Sequence, residues 1–166
     1  LVVSDGKNLR AHVGMGLVAD VFNREILEKL NGYIAIGHVR YSTTGETSSR
    51  NAQPLMVKYI GGNLAIAHNG NLVNAHQLRK KLESRGSIFQ TTSDSEVIVH
   101  LFARYNGMGL RKVLPCALNR VRGAYSLLLM TPRELVAVRD PYGVRPLCLG
   151  KLGKSYIVSS ETCALD

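Results

Sequence analysis

With 166 residues, 45% of them apolar and 20% charged, the chain has the size and composition of one globular domain with its own core. No apolar run approaches the roughly 20 residues of a membrane helix, and the first residues, LVVSDGKN, carry neither a basic leader nor an apolar stretch of secretory-signal length. The formal charge of +9 reads as solvated Lys and Arg on helix faces such as residues 78–85, LRKKLESR. No aromatic residues interleave with the basic ones, which argues against a nucleic-acid partner and leaves an anionic substrate or an acidic partner domain.

Leu9 to Val13 reads as a strand after an Asp5-Gly6 turn. Residues 20–32 read as a helix with Asp20 as N-cap and Gly32 past its end; Val21, Phe22, Ile26, Leu27 and Leu30 share one face. Tyr33 to Val39 is the next expected strand. Ser42 to Pro54 is polar enough to be a long loop. Leu55 to Ile60 and Leu64 to Ala67 suggest a hairpin turning on Gly61-Gly62.

Helices are expected over 74–86, closed by Gly86; over 93–107, opened by a Ser93-x-x-Glu96 capping box; and over 109–122, bent or broken by Pro115. Four strands follow, at 124–131, 134–140, 146–150 and 155–160, with no internal repeat. Strands and helices in separate clusters predict an α+β layered fold. The start inside a strand and the finish without a closing element suggest an excerpt of a longer chain.

Cys116, Cys148 and Cys163 form no CxxC pair, and an odd, widely spaced set points to a reducing, cytoplasmic setting rather than a disulfide framework. Cys116 beside Pro115 and Cys148 in a strand read as packing residues.

Three stretches carry chemistry. In GHVRYSTTG (37–45), Arg40 leaves an apolar strand and faces a hydroxyl-rich loop. A planar fork with nearby hydroxyls suits a carboxylate or phosphate, although an Arg in such a place also pairs with neighbouring acids. In AHNGN (67–71), Asn-Gly after a strand is ordinarily a hairpin turn. Here the residues beyond, LVNAHQL, read as a helix entry. The Asn69 amide and the Gly70 backbone N–H together would make an oxyanion hole for an acyl-transfer intermediate. In TTSDSE (91–96), Asp94 opens a helix, where an acid favours the helix dipole or holds an ammonium group. Taken together, the three would recognise an α-amino acid attacked at its side-chain carbonyl, and glutamine is such a substrate. No G-x-S-x-G nucleophile elbow accompanies them.

GHVRYSTTG, AHNGNLVNA, TTSDSEV, GAYSLLLMT, RDPYGVRPL and SSETCALD, in that order, resemble the glutaminase domain of the amidophosphoribosyltransferase family, over nearly the whole chain. The resemblance implies an N-terminal-nucleophile hydrolase fold over 1–166, a four-layer αββα sandwich of two antiparallel sheets with its first strand and helix missing. It implies that Arg40 and Thr43 bind the glutamine carboxylate, Asp94 its ammonium, and Asn69 and Gly70 the oxyanion. Tyr41 would lie in a loop that closes over the substrate.

In that family the nucleophile is an N-terminal Cys whose own amine is the base, forming a glutamyl thioester that water hydrolyses. Leu1 departs from this pattern, so the nucleophile is expected upstream and the 166 residues alone are expected to be inactive. Ammonia would pass to phosphoribosyl pyrophosphate on a downstream phosphoribosyltransferase domain, where Mg2+ is expected, in the first committed step of purine synthesis. Cys163 matches the first of four cysteines that ligate a 4Fe-4S iron–sulfur cluster in one branch of the family, and a buried free Cys is the other reading. A homotetramer is implied, without a nucleic-acid or membrane partner.

Another class II amidotransferase, such as glucosamine-6-phosphate synthase, is the nearest rival, but there a Trp would follow the clamp Arg where Tyr41 stands. A non-catalytic glutamine-binding regulatory domain is a further alternative.

Overall fold

The computed structural model describes residues 1–40, 49–105 and 108–166. The chain opens with β1 (Val2–Ser4) and β2 (Leu9–Ala11), a hairpin on the Asp5-Gly6 turn, where Asp5 Oδ1 accepts the N–H groups of Lys7 and Asn8 at 2.9 and 2.8 Å. The single helix expected over 20–32 is two short ones, α1 (Val18–Val21) and α2 (Arg24–Lys29). Asn23 causes the break: its side chain accepts the Ile26 N–H at 2.9 Å and caps α2, a role Asn fills better than a helix interior. Asp20 lies inside α1 rather than capping it, and α2 ends at Leu30, before Gly32. Neither helix buries a residue.

β3 (Ile34–Ile36) is shorter than the expected 33–39 and pairs with β1, giving a three-stranded antiparallel sheet in the order β2-β1-β3. Residues 37–40 leave its end. After a 3-10 turn at Ser49–Asn51 come β4 (Leu55–Tyr59) and β5 (Gly62–Leu72). Tyr59 faces Gly62, so the turn residues are Ile60 and Gly61, one position earlier than the expected glycine pair. β5 runs five residues past Ala67, because it pairs residue for residue with β6 (Gly123–Met130). Asn69-Gly70 is therefore strand, not turn.

Three helices follow β5. They are α3 (Ala75–Glu83), α4 (Ser95–Ala103) and α5 (Leu110–Leu118). The capping box at Ser93 does not form. Glu96 is buried and turns further back, accepting the N–H groups of Gln90 and Thr91 at 2.9 and 2.8 Å and the Thr91 hydroxyl at 2.7 Å. Three donors in that turn outcompete the one at Ser93. Pro115 sits inside α5 without ending it; the carbonyl that loses its partner belongs to Arg111, an exposed residue. β7 (Leu135–Arg139) completes a four-stranded antiparallel sheet, β4-β5-β6-β7, and β8 (Cys148–Leu152) with β9 (Ser155–Ser159) forms a separate hairpin.

Strand alternation divides the interior in two. Leu64, Ile66 and Leu72 of β5, with Tyr125, Leu127 and Leu129 of β6, pack against Leu82, Ile98, Phe102 and Leu114 of α3–α5. The opposite face presents Ala65, Ala67 and Met130 to Val2, Leu9 and Ile36 of the three-stranded sheet. Each fully buried aliphatic or aromatic side chain contributes about 1.5–3 kcal/mol. The two cores fix the helix–sheet–sheet stacking expected of the α+β layers. Among the described residues no helix is long and apolar enough to cross a membrane.

Candidate functional site

β4 stops pairing at Leu55, opposite Ile66, so β5 from Ala67 onward has a neighbour on one side, β6. Tyr125, opposite Gly70, directs its carbonyl to the Asp140 N–H at 2.8 Å, away from β5. The N–H groups of His68, Gly70 and Leu72 therefore point to the free edge. Gln53 Oε1 accepts the first at 2.7 Å and Asp94 Oδ2 accepts the third at 2.9 Å. Between them, the Gly70 N–H meets no acceptor among the described residues.

A side chain at position 70 has no room. A Cβ there would overlap the Ala124 carbonyl and come within 2.8 Å of both Tyr125 Cα and His68 Nε2. Asn69 lies on the opposite face, towards the three-stranded sheet, half-buried and across from Ser126. Its amide hydrogen-bonds to no described residue.

Asp94 closes one side of this opening. Its Oδ1 is 3.4 Å from His68 Nδ1, and its side chain is 24% exposed. Burial pushes its carboxyl up, but the hydrogen bonds from His68 and from the N–H groups of Leu72 and Ser95 outweigh that and hold it below the ordinary carboxylate range. The carboxylate is thus ionised at neutral pH and open to a cation. The segment carrying it is tied to the one carrying Gln53: Asn51 accepts the Thr92 N–H at 3.1 Å and donates to the Thr92 hydroxyl at 2.9 Å. Arg79 donates to the Thr91 carbonyl at 2.7 Å and lies over the Phe89 ring at 4.2 Å.

Arg40 stands four residues past β3, exposed, and pairs with no acid among the described residues. Two residues before it stands the half-buried His38. Burial above all, then the positive charge around it, pushes the His38 imidazole down to about 4, so it is neutral at pH 7. His38 thus lies within electrostatic reach of both Arg40 and His68. Tyr41 and Thr43 lie outside the described residues. Gln53, His68 and His38 carry no recognisable signal in the sequence beyond their places beside the motifs.

The RDPYGVRPL segment, residues 139–147, packs against β6 on the side away from β5. Buried Asp140 accepts the N–H groups of Tyr125, Tyr142 and Val144 at 3.3, 2.9 and 3.2 Å. Arg139 donates to the Gly143 and Arg145 carbonyls at 2.6 and 2.7 Å. Ser126, facing Asn69 across the ladder, donates to the Arg145 carbonyl at 3.2 Å.

Cys163 is elsewhere, exposed on a 3-10 turn at Thr162–Ala164 and donating to Glu161 at 3.4 Å. That hydrogen bond, with burial and the Glu161 charge, pushes its thiol up. Among the described residues no three His, Cys, Asp or Glu side chains converge as a metal site.

Residues 38–166 match the glutamine amidotransferase domain family. The chain belongs to that family. As a glutamine amidotransferase domain it is 48% identical over its full length to the amidophosphoribosyltransferase of Bacillus subtilis and 50% identical to that of Methanocaldococcus jannaschii. It covers 35% and 36% of those two proteins, so it spans about a third of the curated relatives it matches.

Two solved structures share the fold. The glutamine phosphoribosylpyrophosphate amidotransferase of B. subtilis, complexed with ADP and GMP, superposes with a TM-score of 0.91 at 48% identity, over 98% of this chain and 35% of that one. A structure described as the allosteric regulatory enzyme of purine biosynthesis gives 0.94 at 49%, with the same coverage. The amidotransferase domain is thus the layered sandwich of antiparallel sheets and helices expected from the motifs.

Proposed function

We propose that this domain is the glutaminase part of an amidophosphoribosyltransferase, releasing ammonia from glutamine for transfer to phosphoribosyl pyrophosphate in the first committed step of purine synthesis. The observation that carries the reading is the Gly70 N–H, left without an acceptor among the described residues between Gln53 and Asp94 on an otherwise occupied strand edge. A carbonyl oxygen that gains negative charge during acyl transfer is the acceptor such a donor suits, with the Asn69 amide as the second donor.

The ionised Asp94 holds the α-ammonium, and Arg40, with Thr43, holds the α-carboxylate. Tyr41 covers the bound substrate. None of Cys116 in α5, Cys148 in β8 or Cys163 in its turn is placed at the opening. The thiolate that forms the glutamyl thioester, and the amine that takes its proton, come from outside these residues.

The same reading places phosphoribosyl pyrophosphate and Mg2+ on a separate transferase domain, and the whole protein in the cytoplasm as a homotetramer. Cys163 fits one ligand of an iron–sulfur cluster: it is an exposed thiol whose one partner among the described residues is Glu161, and the remaining thiolates would lie beyond this chain. Bound, the cluster would add a rigid covalent anchor for this turn. Iron and sulfide analysis of the full-length protein against Cys163→Ser tests that assignment.

The glutaminase reading is tested in the full-length protein by comparing glutamine-driven with ammonia-driven phosphoribosylamine formation. Asn69→Ala should lose about 100-fold or more of the first and none of the second, from one missing oxyanion donor. Equal loss of both overturns the oxyanion assignment.

A further inference from the structure

His68 is buried beside the opening, with 1% of its side chain exposed. It sits on the helix-facing side of β5, between Ile66 and Gly70. Nδ1 lies 3.2 Å from Ser95 Oγ and 3.4 Å from Asp94 Oδ1, while Nε2 is buried without a hydrogen-bond partner among the described residues. The Ser93 hydroxyl donates to Ser95 Oγ at 3.0 Å, which leaves that oxygen able to accept from the ring. An ionised carboxylate beside Nδ1 favours a proton there. A proton on Nε2 would instead be an unpaired buried donor. Both contacts select the tautomer with its hydrogen on Nδ1 and a bare Nε2 against Gly70, the position where an added Cβ would come within 2.8 Å of that nitrogen.

We propose that His68 is a positioning residue that sets two parts of the site with one ring: its Nδ1–H aims the Asp94 carboxylate into the opening, and its bare Nε2 edge packs against Gly70 and holds that peptide in line. This rests on the glutamine reading above. His68 touches no substrate; it acts through Asp94, which meets the ammonium group. The ring is itself held from the main chain, since Gln53 accepts the His68 N–H at 2.7 Å and donates to its carbonyl at 3.4 Å. Gln53, His68 and Asp94 thus form one chain of contacts around the unclaimed Gly70 N–H.

The test replaces each ring nitrogen separately in the full-length protein. The amide of Asn can reach the Nδ1 position, whereas the amide of Gln reaches Nε2. His68→Asn should keep the glutamine KM within about threefold of the parent, while His68→Gln and His68→Ala should raise it by about tenfold or more, as expected for a lost charge-assisted hydrogen bond. Ammonia-driven transfer should be unchanged in all three. His68→Ala combined with Asp94→Asn should cost no more than Asp94→Asn alone, because the two act in series.

Rescue by Gln and not by Asn would overturn the Nδ1 assignment. Parallel loss of ammonia-driven activity would make His68 a residue of the scaffold only, and additive losses in the double variant would separate it from Asp94. A parent protein with no glutamine-driven activity would instead defeat the underlying reading, and this inference with it.

Discussion

Gln53 and Asp94 take the N–H groups on either side of Gly70, at 2.7 Å on His68 and 2.9 Å on Leu72, although they lie 41 residues apart in the chain. One side chain comes from the loop before β4 and the other from the start of α4, and Asn51 ties the two segments together through Thr92. The result is a short run of strand edge with a single open donor.

On the proposed role of Arg40 as the clamp for the glutamine carboxylate, Arg40→Ala should raise the glutamine KM strongly, by about tenfold or more, through loss of a bidentate guanidinium–carboxylate pair. Ammonia-driven activity should survive. Lys at this position should restore little, since a point charge does not reproduce the fork. Steady-state kinetics with each nitrogen source checks this.

Gly70→Ala should fail for steric reasons before any chemistry. The new Cβ would meet the Ala124 carbonyl and the His68 ring, and overpacking of this kind costs about 1–3 kcal/mol. Urea unfolding should show the loss, together with abolished glutamine hydrolysis. A variant of full stability and full activity would mean that the strand pair can separate without harm.

His38 should make the domain less stable in mild acid. Its imidazole titrates near 4 when folded, against 6.5 for the free group, so the unfolded chain binds the proton more readily between those values. Stability is then full above about 6.5 and falls as the pH drops towards 4. His38→Gln should flatten that slope in urea midpoints measured at stepped pH.

Asp140→Asn should loosen the loop beside Ser126. The carboxylate accepts three backbone N–H groups, and these, with the N–H of Gly143, outweigh the effect of burial and hold it below the ordinary carboxylate range. Its contribution is present above the unfolded value of about 3.9 and is lost as the pH falls through the lower folded value. The substitution should lower the thermal midpoint at neutral pH and speed amide exchange at Tyr142 and Val144.

Much of the fold is visible in residue patterns, and the exceptions have physical causes. Alternation marks β6 through β9, and α3 ends before Gly86 as its left-handed φ of +87° requires. The break at Asn23 was hidden because the apolar spacing of Val21, Phe22 and Ile26 continues across a residue that prefers to cap. β5 looked short because His68, Asn69 and Asn71 are polar, and only the pairing with β6 shows them to be strand.

At the site, Arg40, Asn69, Gly70 and Asp94 could be singled out from local motifs. Gln53 and His68 could not be found that way, because their partners lie 15 and 27 residues distant. Their polar atoms acquire meaning only when β4 ends early and leaves an edge to fill.

That early end has a further consequence. A bare strand edge ordinarily invites another strand, and with it self-association or capture of extended peptides. Here two side chains already occupy alternate rungs, so an incoming backbone would find one vacant rung instead of a ladder. The edge is thereby converted from a surface that polymerises into a single vacant place, too short for a second strand to settle on.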